Sequence, residues 1–131
     1  MTWFFRVFIF FLWVFWLSFI FYLSGIPELR SSLPSWQDFL FRKLAHIGEY
    51  AVLFALTFFV FHPKRKKITF VFVILVMLFT FLYAVSDEIH QSFIFGRKGS
   101  IYDLGFDIFG IVLGFFFLQR QIRYENKKRK S

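Results

Sequence analysis

Lys64-Arg-Lys-Lys67 followed by the uncharged run ITFVFVILVMLFTFLYAVS, residues 68–86, decides how this chain is built. Nineteen residues without a charge are long enough to cross a hydrocarbon core about 30 Å thick as a helix. The four basic residues before them mark a cytoplasmic end, because lysine and arginine favour that side of a membrane. A second basic cluster, Arg120, Arg123, Lys127, Lys128, Arg129 and Lys130, ends the chain. Both clusters reach the cytoplasm only if another span lies between them. Residues 101–118 supply it, although they contain Asp103 and Asp107. The same logic applies upstream. Val7 to Leu23 is uncharged, Trp3, Phe4 and Phe5 extend it backwards past Arg6, and residues 44–61 return the chain to the inside despite His46 and Glu49.

The expectation is therefore an all-α integral membrane bundle of four transmembrane helices. The spans fall at about residues 3–23, 44–61, 68–86 and 101–118, with a basic tail over 119–131. Both termini are expected in the cytoplasm. Seven of the eight acids, all but Glu125, then fall in or near the outer half. The first apolar run exceeds a signal-peptide core of about 7–15 residues and lacks a small-residue cleavage site, so it reads as an uncleaved helix. Ser35 to Asp38 resembles a capping box, and Trp36, Phe39, Leu40, Leu44 and Ile47 recur at helical spacing. Two readings fit: a short interfacial helix before the second span, or one overlong, tilted second helix.

Composition agrees with a lipid environment. The chain has 131 residues, 58% of them hydrophobic and 25 of them phenylalanine. It has no cysteine, which excludes disulfides, thiolate metal sites and a cysteine nucleophile. The net charge of +8 is concentrated where topology requires it, so lipid-surface contact is expected and nucleic-acid binding is not.

Ionisable residues within a span are costly and mark interior or functional positions. With Phe61 and Leu118 set at the inner boundary, Glu49 lies roughly 18 Å above it and Asp107 roughly 16 Å. His46 and Asp103 both lie roughly 22 Å up. This matching predicts that His46 faces Asp103 and that Glu49 faces Asp107. Ser100-x-x-Asp103 explains Asp103 as a capping residue, whereas Asp107 is too deep for a cap. Asp103, Asp107, Gly110 and Gly114 form one stripe, and Gly110-x-x-x-Gly114 allows close helix approach, within the chain or in a homo-oligomer. Asp87 and Gln91 share a face of the third helix; Glu88 and His90 are expected at the surface. Arg97 and Lys98 follow in an outer loop, and Arg97 suits bidentate phosphate binding.

Lys43-Leu-Ala-His46-Ile-Gly-Glu49-Tyr50 resembles the first signature of the VanZ-like family. Ser86-Asp87-Glu88-Ile-His-Gln91, then Gly96-Arg97, Asp103 and Gly110-x-x-x-Gly114, resembles the second. Order and spacing match from about Arg42 to Gly114, with Asp107 standing where the family pattern usually has Asn. The resemblance implies a small multi-pass protein of the bacterial cytoplasmic membrane. The family takes its name from a protein of teicoplanin resistance, which implies a role at the cell envelope.

The candidate catalytic residues are His46, Glu49, Asp87, Glu88 and Asp107. The candidate substrate-binding residues are Lys43, Tyr50, Gln91, Arg97 and Asp103. These types suit acid/base chemistry, a hard divalent cation, or purely structural pairing, and the sequence leaves metal and cofactor open. The expected partner is a membrane lipid or a lipid-linked envelope precursor. The rival is a non-catalytic scaffold whose polar cluster only holds the bundle. A transporter is disfavoured because the cytoplasmic halves of the four spans lack ionisable residues beyond Arg6.

Overall fold

The computed structural model describes residues 3–27, 35–62, 68–95 and 99–128, and only the backbone at 121, 125 and 128. It consists of four helices: α1 (Trp3–Ser24), α2 (Ser35–Phe61), α3 (Phe70–Ser92) and α4 (Ile101–Lys128). Each contains a stretch long and apolar enough to cross a membrane. All four expected spans are present, and three are longer than the apolar runs suggest. Helix α2 is one continuous helix of 27 residues, about 40 Å long. The stretch from Ser35 to Ile47 is thus the first part of the second helix itself, and among the described residues no separate helix precedes it. Helix α3 continues through Ser92 and α4 through Lys128, because their polar ends keep helical geometry beyond the apolar segments.

Side-chain bonds between helix ends establish an up-down-up-down order. Arg6 near the start of α1 donates to the His62 carbonyl just after α2 (3.0 Å). Asn126 near the end of α4 both accepts from the Ile68 backbone N–H and donates to the Ile68 carbonyl, at the start of α3 (3.1 Å each). Ser24 and His90, at the ends of α1 and α3, meet at 2.7 Å. The beginning of α1 and the end of α4 therefore lie at the same end of the bundle, and the intramembrane acids lie at the other.

Helix α2 is the central element. Tyr50, Leu53, Phe54, Thr57 and Phe58 are buried, at the 3-and-4 spacing of one helix face. Ile20 of α1, Val73, Val76 and Ala84 of α3, and Ile111 and Leu118 of α4 complete the core. Phenylalanines of α1 and leucines of α3 point outwards, Phe8, Phe11, Phe15, Leu75 and Leu82 among them. A bilayer solvates such a surface where water would not. Polar side chains in the apolar zone bond locally or across helices. Trp13 donates to Thr57 Oγ1 (3.0 Å), Trp16 to the Glu49 carbonyl (3.0 Å) and Tyr83 to the Leu17 carbonyl (2.6 Å). Those bonds fasten α1 to α2 and α3 where hydrocarbon offers no alternative partner.

Candidate functional site

The site begins with two glycines. Gly110 and Gly114 lie against α2 of the same chain, where a Cβ on Gly110 would collide with the Ile47 carbonyl oxygen and one on Gly114 would lie 2.8 Å from that of Ala51. The close approach expected of Gly-x-x-x-Gly is thus made within the chain, where both glycines are buried. Both helices run in the same direction, so this seam fixes how far each acid of α4 sits along α2.

The resulting pairs differ from the depth-matched ones. Asp107 Oδ1 lies 2.8 Å from His46 Nδ1. Asp103 pairs with Lys43. The expected His46–Asp103 and Glu49–Asp107 pairs are absent; each acid meets α2 about one turn nearer its amino end. The depth estimate assumed that both spans end level, whereas the glycine seam sets the register. Asp103 is also more than a cap. Ser100 Oγ does accept from the Tyr102 backbone N–H (3.2 Å), but the carboxylate of Asp103 goes to Lys43. Glu88 takes the reciprocal capping role, its Oε2 accepting from the Ser100 N–H at 2.7 Å.

That bond corrects the expectation for Glu88, which is 9% exposed and buried against the start of α4. His90, partly buried, stacks on Phe21 (ring centroids 4.2 Å apart). Asp87 is buried too, with Gln91 Nε2 donating to its Oδ2 at 2.8 Å. Each of these acids keeps one buried oxygen without a hydrogen-bond partner among the described residues: Asp87 Oδ1, Glu88 Oε1 and Asp107 Oδ2. Tyr50, fully buried, has a likewise unpartnered hydroxyl, in electrostatic range of Asp87, Asp107 and Glu49. His46, Glu88 and Asp107 each offer one ligand-type atom, all within 4.8 Å of one another.

A cavity of about 130 Å³ adjoins this layer between α1, α2 and α3. Ile20, Leu23 and Ala45 give it an apolar side; Arg42, His46, Glu49, Asp87 and Gln91 give it a polar one. Arg42 extends outward and pairs with Asp38 one turn back (3.0 Å). Nine of the ten expected site residues fall in the described residues, all within the polar layer or beside it. Arg97, expected to bind substrate, lies outside the described residues, as do Gly96 and Lys98. Sequence reading missed Ser24 and Arg42 as cavity-lining residues. Arg42 had a signal, since it stands one helical turn before His46 and after Asp38.

Four membrane-length helices around an off-centre polar layer make this a multi-pass membrane protein with an internal ionisable cluster. The sequence profile of the VanZ/LLP1 family matches residues 2–122, and the chain belongs to that family. No curated protein and no solved structure matches it.

Proposed function

We propose that this protein binds or modifies the headgroup of an amphipathic cell-envelope component at the outer face of the bacterial cytoplasmic membrane. In this reading both termini are cytoplasmic, and the activity contributes to resistance to lipoglycopeptides such as teicoplanin. The observation that carries it is the two-sided cavity, apolar towards Ile20 and Leu23 and polar towards His46, Glu49 and Asp87. Such a lining suits a molecule that is itself lipid at one end and polar at the other. Lys43 and Arg97 attract its phosphate, with Asp103 holding Lys43 in position and Gln91 and Tyr50 supplying hydrogen bonds. His46 is the acid/base residue and Asp107 orients its ring, while Glu49, Asp87 and Glu88 provide further carboxylates for proton transfer.

The test is a phenotype series in the host, with membrane levels of every variant measured. Glu49→Gln, Asp87→Asn and Arg97→Ala are expected to insert at wild-type levels and to lose most of the lipoglycopeptide tolerance; His46→Ala and Asp107→Asn, which break a buried pair, are expected to lose it when compared at matched membrane levels. Inserted variants that retain full tolerance would remove the reading. They would favour the scaffold reading, which has its own support in the Glu88–Ser100 and Lys43–Asp103 bonds that tie helices together.

A further inference from the structure

We infer that His46, Glu88 and Asp107 form a binding site for one divalent metal cation, of the Mn²⁺ or Zn²⁺ kind. The three residues come from three helices, α2, α3 and α4, and their ligand-type atoms lie within 4.8 Å of one another. Ligands about 2.0–2.2 Å from a shared ion are separated by roughly 3–4 Å, so closure asks for side-chain adjustments on the order of 1 Å.

A second observation is independent of this proximity. Asp107 is 0% exposed and Glu88 9%, yet Asp107 Oδ2 and Glu88 Oε1 have no hydrogen-bond partner among the described residues. Buried acceptors of this kind are costly, and more so in a membrane interior. The nearby cations are engaged elsewhere, Lys43 with Asp103 and Arg42 with Asp38. Among the described residues no lysine or arginine pairs with Glu88 or Asp107. A single divalent ion answers both oxygens and compensates both charges.

The donor set narrows the ion. One imidazole nitrogen and two carboxylate oxygens, with no cysteine in the chain, suit Mn²⁺ or Zn²⁺ better than a soft ion such as Cu⁺ or an all-oxygen ion such as Ca²⁺. The surroundings already orient the ligands. The Ser100 N–H holds Glu88 Oε2, and the glycine seam places Asp107. His46 binds the ion through a ring nitrogen that carries no proton: a neutral ring keeps its proton on the other nitrogen, and any further proton held by the ring or by the carboxyls leaves to solvent as the ion enters. His46 also lines the cavity, which provides the route in. In the loaded protein His46, Glu88 and Asp107 hold the ion, and the acid/base role passes from His46 to Glu49 and Asp87. The inference goes beyond the envelope reading and does not require it.

The experiment uses purified full-length protein in phosphatidylcholine nanodiscs, stripped with chelator, titrated with Mn²⁺ and followed by the EPR signal of free Mn²⁺. One saturable Mn²⁺ per chain is expected, displaced by Zn²⁺, with pulsed EPR of the wild type showing a directly coordinated imidazole ¹⁴N. Asp107→Asn and Glu88→Gln should each weaken binding at least about tenfold, and Asp38→Asn should leave it unchanged. Folding of each variant is checked by circular dichroism and elution profile. Absence of saturable binding of either ion, absence of the ¹⁴N coupling, or equal loss in Asp38→Asn would overturn the site. None of these outcomes bears on lipoglycopeptide tolerance, so the two readings fail separately.

Discussion

His46→Ala is expected to destabilise the folded bundle by about 1–3 kcal/mol, the cost of leaving a buried carboxyl group without its hydrogen-bond partner. Asp107 is fully buried, and among the described residues only His46 Nδ1, at 2.8 Å, bonds its carboxylate. Alanine removes the one hydrogen-bond partner of a buried carboxyl group among the described residues. The measurement is unfolding of the detergent-solubilised protein, by denaturant or heat, in EDTA so that no bound ion contributes. The double variant His46→Leu/Asp107→Leu should recover most of the loss, because replacing both members of a buried pair by apolar groups is often neutral. Equal stability of His46→Ala and wild type would show that the pair does not hold α2 to α4.

Gly110→Leu should have an effect of similar or larger size. Even the first added carbon would collide with the Ile47 carbonyl, a backbone atom that cannot rotate away. Overpacking at flexible sites already costs about 1–3 kcal/mol, and here the helices themselves must separate. Gly48→Ala and Gly105→Ala are the controls. A Cβ at either position meets nothing within 4 Å, so each should be neutral or stabilising by up to about 1 kcal/mol through helix propensity. The same unfolding assay reads all three. A Gly110→Leu protein as stable as the controls would mean that α2 and α4 do not touch through this seam.

The four helices were legible because two signals agreed: apolar runs located α1 and α3, and the basic clusters forced the two acid-bearing spans. The helix ends were less legible. The apolar run stops at Ser86, whereas α3 runs on to Ser92; the four-residue spacing put Asp87 and Gln91 on one helix face, but nothing in it showed that Glu88 is buried as well. Most of the polar layer was readable, since His46, Glu49, Asp103 and Asp107 stand out in apolar segments. Its pairing was not. Depth counting treats helices as rods with level ends, while the contact between α2 and α4 is set by where two residues lack side chains. Glu88 escaped for a related reason. Its burial depends on Ser100, twelve residues away across a loop, and periodicity within α3 says nothing about a loop.

The seam between α2 and α4 also bears on how the protein responds to its membrane. Gly110 and Gly114 rest on the backbone at Ile47 and Ala51, so the approach of α4 to α2 beside His46 and Asp107 is set largely by main chain. A change in bilayer thickness is absorbed by helix tilt, and two helices joined this closely tilt as one body. The part of the site shared by α2 and α4 is therefore expected to keep its dimensions in a thin membrane and a thick one.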